Sequence, residues 1–355
     1  MRGSSHTQLP CAPRQSGPSV CSGRELNLNP GEWTWQLTDE HIDELIVASQ
    51  PYTNLPIDER TRITTSRFVL RTLAPELALL RERLVAGRGF ELITGFPSNE
   101  LPEHQSEAVF AGIGAHLGLA CSQNAEGDLL GHVRNVGADP TNPTTRIYQT
   151  SERQTFHTDS ADVVALLCLE TAARGGSSLL ASAGAIYNEM LDRDPESAAL
   201  LFQPIATDRR GEVPEGEQPY FDIPVLSWYI DALTVMYQRQ YIESAERFDG
   251  VDPLSPEIVA ALDLFDDIAN NPDFHIEMDL AVGDMQFVHN HSLLHDRTGF
   301  TDKPGSPRHL LRLWLSVPGD RELPEVFGQR FAGTTVGRRG GVVVRQDKPR
   351  QEPTV

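Results

Sequence analysis

The chain has 355 residues and a formal charge of −20, from 30 Lys and Arg against 50 Asp and Glu. A field of that sign repels nucleic acid and anionic membrane surfaces, so neither is an expected partner. No apolar stretch approaches the roughly 20 residues of a membrane-spanning helix, and a hydrophobic content of 39% is ordinary for a globular protein with a sizeable core.

Residues 1–30 are rich in Ser, Pro and Gly and predict a flexible extension without the apolar segment of a secretory signal. TDEHIDELIVAS, from Thr38, reads as a helix capped by Thr38 or Asp39. PELALLRERLVAGRG reads as an amphipathic helix with Pro75 near its start. It leads into a short apolar strand, GFELITGFP, and then into a second helix, PEHQSEAVFAGIGAHLG. The middle of the chain changes character: RIYQT, FHTDSADVVALLCLE and SSLLASA look like successive strands broken by RQT and ARGG. AGAIYNEMLDRDPESAALLF and SPEIVAALDLFDDIANN are helical, with FDIPVLSWYI the clearest strand between them. FHIEMDLAVGDMQFVHN and RHLLRLWLSV return to strands. The expected division is a domain over 31–335 with a helical insertion at about 184–275, followed by an exposed basic tail at 336–355. Strands, inserted helices and strands again do not alternate as a doubly wound sheet does. They predict a mainly β, jelly-roll core decorated by helices.

Cys11, Cys21, Cys121 and Cys168 lack metal-ligand spacing, which predicts reduced thiols and a cytoplasmic protein, with Cys168 in the core. His116, His132, His275 and His309 have no partners at useful spacing and read as structural. Trp33, Trp35, Trp228 and Trp314 read as core.

The chemistry concentrates in two places. In FHTD, taken as a strand, His157 and Asp159 share a face, and an imidazole beside a carboxylate is half of a transition-metal site. GDMQFVHNHSLLHDRTGF adds His289, His291 and His295. In RHLLRLWLSV, Arg308, Leu310, Arg312 and Trp314 alternate with the apolar face of His309, Leu311, Leu313 and Leu315. Two guanidinium groups on one strand face are costly to bury unless an anion meets them, and their planar fork suits a carboxylate. Two histidines and one carboxylate leave three open positions on a metal, the arrangement of non-haem Fe(II) oxygenases.

FHTD, GGSS, GDMQFVHN, LHDRTGF and RHLLRLWL together resemble the taurine dioxygenase/2,4-dichlorophenoxyacetate dioxygenase family of Fe(II)- and 2-oxoglutarate-dependent oxygenases, over about residues 88–318. The resemblance implies a double-stranded β-helix core and an enzyme using Fe(II), 2-oxoglutarate and O2. It implies iron ligation by His157, Asp159 and His295, the last because Asn290 lies five positions earlier, with His291 and His289 as fallbacks. Arg308 would bind the distal carboxylate of 2-oxoglutarate, helped by Ser178. Arg312 would lie near substrate or the proximal carboxylate, and Tyr148, Gln149, Arg153 and Asn135 are further candidates for the substrate pocket. The implied reaction removes hydrogen from, and hydroxylates, a small carboxylate-bearing molecule with release of succinate and CO2. Desaturation or cyclisation, a cupin-like metal enzyme without 2-oxoglutarate, a silent binding protein of the same fold, and self-association all stay open.

Overall fold

Alternation of side chains along the strands sorts this chain into layers. In the computed structural model, which describes residues 11–342, the chain starts with α1 (Gly23–Leu28), β1 (Thr34–Gln36), α2 (Asp39–Ser49), α3 (Ile57–Arg60) and α4 (Leu73–Val85). Then come β2 (Phe90–Thr94), α5 (Glu103–Leu117), β3 (Leu119–Ala120) and β4 (Leu130–Val133). The centre holds β5 (Gln154–His157), β6 (Val163–Glu170), β7 (Arg174–Gly175) and β8 (Ser178–Ser182). The insertion comprises α6 (Ala183–Arg193), α7 (Pro195–Leu200), β9 (Pro204–Asp208), β10 (Tyr220–Pro224), β11 (Leu226–Tyr229), β12 (Ala232–Val235), α8 (Arg239–Ala245) and α9 (Pro256–Asn270). The chain closes with β13 (His275–Met278), β14 (Met285–His289), β15 (Leu293–Arg297), β16 (Phe300–Thr301) and β17 (His309–Ser316).

A seven-stranded sheet runs β1-β2-β14-β6-β17-β3, with β4 also on β17, and a four-stranded sheet runs β13-β8-β15-β5. Parity distributes their side chains. Along β6, Val163, Ala165 and Leu167 pack outward with Leu311, Leu313 and Leu315 of β17 against Leu77, Leu80 and Phe110 of α4 and α5. Val164 and Cys168 point the other way and meet Leu180, Ile276 and Met278 of the smaller sheet. Along β8 the same rule sends Leu179 and Ala181 outward to Ile186, Leu262 and Phe265 of α6 and α9. Because β6 is buried on both faces, its sequence is one apolar run rather than an alternation. Each fully buried leucine adds about 1.5–3 kcal/mol to the stability of this helix–sheet–sheet–helix stack. This is the expected mainly β, helix-decorated jelly roll.

Thr38 caps α2 as anticipated, its hydroxyl accepting from the His41 backbone N–H. Three local expectations differ. RIYQT is a single 3-10 turn over Ile147–Gln149, not a strand. Asp159 lies in a loop, because β5 ends at His157 and β6 begins only at Val163. The ends of the described chain are docked rather than loose. Ser182 Oγ donates to the Ser19 carbonyl at 2.6 Å, Arg24 pairs with Asp273 at 2.7 Å, and α1 lies on β13 so closely that a Cβ at Gly23 would strike the His275 carbonyl. At the other end Arg339 is 1% exposed, so the segment expected to be an exposed tail is buried at least there. The rest of the expected extension and tail, 1–10 and 343–355, lies outside the described residues.

Candidate active site

Polar side chains gather between the sheets where β5, β15 and β17 converge. His157 and His295 are directly paired across β5 and β15, which sets their rings 4.1 Å apart. The His157 Nδ1–H donates to the Thr155 carbonyl at 2.8 Å, which leaves the Nε2 lone pair facing inward, where it accepts from the Gln154 amide at 2.8 Å. Burial and the neighbouring His295 push the His157 pKa down to about 3, so the ring is a neutral donor.

Asp159 reaches the same point from its loop. Its Oδ2 lies 3.7 Å from His295 Nε2, and its Oδ1 lies 4.0 Å from His157 Nε2. Asn290 holds this loop, accepting from the Asp159 backbone N–H at 3.1 Å and donating to the Ala161 carbonyl at 3.1 Å. The Trp314 indole donates to Asp159 Oδ2 at 2.7 Å and Arg312 Nη1 does so at 3.3 Å. Burial alone would raise the Asp159 pKa, but Arg312, His295 and His157 outweigh it and keep the carboxylate ionised. One nitrogen from each histidine and one carboxylate oxygen lie within 4.8 Å of one another. Two imidazoles and an ionised carboxylate form the donor set that holds a mononuclear divalent iron, and they fit it here.

A second fit concerns the co-substrate. Arg308 is buried, its Nη2 donates to the Gly176 carbonyl at 3.2 Å, and its Nη1 has no partner among the described residues. The glycine is required, since φ is +80° and a Cβ would sit 2.8 Å from Arg308 Nε. Arg297 flanks the same Phe300 ring, with guanidinium centres 4.7 Å and 5.2 Å from its centroid for Arg297 and Arg308. Burial lowers both arginines to about 10. A cavity lined by Arg308, Arg297, Ser178 and Arg312 opens onto His157, Asp159 and His295. An under-partnered buried guanidinium beside an open metal donor set fits a dicarboxylate that spans the two. Ser178 Oγ already exchanges hydrogen bonds with the Gln286 amide, near 3.0 Å.

The other expected residues divide. Tyr148 and Arg312 line the cavities, and the Arg312 guanidinium lies 4.7 Å over the Tyr148 ring. Arg153, Asn135 and Gln149 line neither. Arg153 is drawn to Asp296 at 2.6 Å, Asn135 donates to Asp302 at 3.3 Å, and Gln149 offers its carbonyl to Val136. The fallback ligands lie elsewhere: His289 contacts Asp320 at 3.0 Å and His291 contacts Asp162 at 2.9 Å. Arg339 bridges those two carboxylates at 2.7 and 3.1 Å, so a guanidinium stands in that cluster where a cation would.

Residues not singled out from the sequence also enter. Trp314, read as core, holds Asp159. Gln123 accepts from Arg312 Nε at 2.7 Å, and Gln154 meets His157. A polar cavity next to Asp159 is walled by Arg146, Arg330, Tyr241 and Gln238, and Arg146 and Arg330 share the carboxylate of Glu212. Only Trp314 carried a sequence signal, its parity with Arg308 and Arg312.

Fold and donor set define a mononuclear metal enzyme on a jelly-roll core. Residues 51–314 match the profile of the taurine catabolism dioxygenase TauD, TfdA family. The chain is 37% identical over 250 residues to an FR-33289 synthase of Streptomyces rubellomurinus, covering 68% of this chain and 73% of the relative. It is 30% identical over 175 residues to a uridine-5′-phosphate dioxygenase of a Streptomyces species, covering 47% of this chain and 62% of that relative. Among solved structures, an asparagine oxygenase in complex with Fe(II), 3-hydroxyasparagine and succinate superposes with a TM-score of 0.61 at 19% identity, over 80% of this chain and 93% of that one. The chain belongs to the TauD/TfdA family. It is an Fe(II)- and 2-oxoglutarate-dependent oxygenase that uses O2 and acts on a small molecule. Among the described residues, no helix is long and apolar enough to cross a membrane.

Proposed function

We propose that His157, Asp159 and His295 hold the iron, that Arg308 receives the distal carboxylate of 2-oxoglutarate, and that the enzyme hydroxylates a small molecule bearing an anionic group, a carboxylate or a phosphate. The observation that carries this reading is the single cavity joining the three donors to the half-unpaired Arg308. With 2-oxoglutarate and O2 the bound iron supplies the oxidation that breaks a substrate C–H bond, with succinate and CO2 as co-products.

The protein's residues do the rest. The Thr155 carbonyl fixes the His157 tautomer, so Nε2 is a lone-pair donor at all working pH values. Trp314 and Arg312 orient the Asp159 carboxylate and keep it charged. Arg308 and Arg297 supply the positive end of the co-substrate seat, and the apolar Val164, Leu166 and Leu310 exclude water along it. Arg146 and Arg330 face the substrate side with one carboxylate between two guanidinium groups, which leaves a net positive wall. An anion is what such a wall attracts, and the relative named a uridine-5′-phosphate dioxygenase supports a phosphate as well as a carboxylate.

Anaerobic optical titration of the metal-free protein tests the core of this reading. A visible charge-transfer band that requires both Fe(II) and 2-oxoglutarate supports it. Iron binding without such a band, in protein that also releases no succinate, removes 2-oxoglutarate from the site. Succinate release screened over small carboxylates and phosphate esters then finds the substrate. Activity confined to neutral or cationic compounds would overturn the anionic wall.

A further inference from the structure

On the outer face of the seven-stranded sheet, opposite the active site, two histidines that read as isolated in the sequence meet. His132 on β4 and His309 on β17 share a face, since Leu311, two residues beyond His309, is paired with His132. His132 Nδ1 and His309 Nε2 lie 2.9 Å apart. Glu103, the first residue of α5, reaches over them, with carboxylate oxygens 3.9 Å from His132 Nδ1 and 4.0 Å from His309 Nδ1. Behind His132, its other nitrogen faces Glu107 at 3.9 Å.

We propose that Glu103, His132 and His309 form a second divalent-metal site, of the class that takes Zn2+ or Co2+, which staples the start of α5 to the sheet. One donor atom from each of the three lies within 4.8 Å of the others. Two nitrogens on a tetrahedral zinc stand about 3.3 Å apart, given Zn–N bonds of about 2.0–2.1 Å, so the His132 Nδ1 and His309 Nε2 pair at 2.9 Å opens slightly while the exposed Glu103 carboxylate, now on the His309 Nδ1 side, rotates in to complete the site. The contact between the two ring nitrogens is a hydrogen bond, and its proton would leave the gap for the other nitrogen of its own ring when an ion enters. Nitrogen and carboxylate donors together select borderline transition ions over Ca2+ or Mg2+. Glu107, held by Arg60, is placed as the carboxylate that orients a metal-bound histidine from behind. The Glu103 side chain is 54% exposed, which gives an ion access from solvent.

This site is independent of the iron assignment, and Co2+ titration of the metal-free protein separates the two. Absorption and calorimetry should give two equivalents for the wild type, one for His132→Asn and one for His157→Ala. Zn2+ should raise the Tm of His157→Ala and leave that of His157→Ala/His132→Asn unmoved. A single wild-type equivalent that is lost in His157→Ala but kept in His132→Asn overturns the outer site and leaves the iron site standing. The reverse pattern upholds the outer site and removes the iron assignment. Glu103→Gln, at an exposed position, covers the case in which His132→Asn does not fold: unchanged stoichiometry and affinity in that variant also overturns the proposal.

Discussion

Arg308 enters its cavity with one terminal nitrogen on the Gly176 carbonyl and the other bare. A buried cation in that state is a cost to the empty protein and an asset once a carboxylate arrives. Arg308→Met should therefore leave the Tm of the ligand-free protein unchanged or raised, while the KM for 2-oxoglutarate rises about 10- to 100-fold, as loss of a charged hydrogen bond implies. Calorimetry and succinate release check the two halves; a lowered Tm with an unchanged KM would place the co-substrate elsewhere. Trp314 is the complementary case. Trp314→Phe keeps the ring and deletes the N–H that orients Asp159, so iron affinity should fall roughly 10- to 100-fold in a protein of near-normal stability. Equilibrium dialysis against Fe(II) reads this directly. His157, Asp159, His295 and Arg308 stood out in the sequence because each is polar within a stretch that must be buried. Arg146, Arg330 and Glu212 did not, since charged residues spaced by 66 and 118 positions are paired only by the fold.

At the scale of elements, β17 was legible because its two faces differ: leucines meet the helices, while Arg312 and Trp314, with Arg308 just before the strand, meet the site. The FHTD segment was read as a strand through Asp159, and that fails for a physical reason. Its loop is shaped by groups far away in sequence, Asn290 on one side and the C-terminal segment on the other. Gly341 N–H donates to the Ser160 carbonyl, and Arg339 Nε donates to Asp162 Oδ1 at 2.7 Å. Neither the ends of the chain nor this clamp carried an apolar period to betray them. The clamp sits in a fully buried cluster, where His289, His291 and Arg321 help keep Asp320 ionised against the burial that would raise its pKa, and Arg339 pairs with it at 3.1 Å. Arg339→Met would leave Asp162 and Asp320 facing each other without their guanidinium. Breaking a buried pair in this way costs about 3–5 kcal/mol. Urea denaturation should show that loss, and a change under 1 kcal/mol would mean that the remaining groups, Arg321 and the two histidines, neutralise the cluster unaided.

For the whole molecule, the layered architecture buries His157 and His291 in settings that disfavour their charged forms, and that shapes its response to acid. Burial depresses His157 to about 3, and burial also lowers His291 despite Asp162 and Asp320. In the unfolded chain both would protonate near pH 6.5. Between that value and the folded pKa the unfolded state binds more protons than the native one, so acidification favours unfolding. The stability of the metal-free protein should be flat above pH 7. It should then fall as pH drops from about 6.5 toward 3, with each such histidine contributing up to about 1.4 kcal/mol per pH unit. Bound metal should not reverse this trend: a proton competes with an ion on His157 Nε2 only as pH approaches the folded value of about 3, so its stabilising effect on Tm should persist through most of the window. Thermal unfolding from pH 4 to 8, with and without Zn2+, measures both. His291→Gln keeps a donor toward Asp162 but cannot titrate, and it should remove part of the acid slope. An identical slope in that variant would assign the acid sensitivity to His157 and to the carboxylates that give this chain its charge of −20.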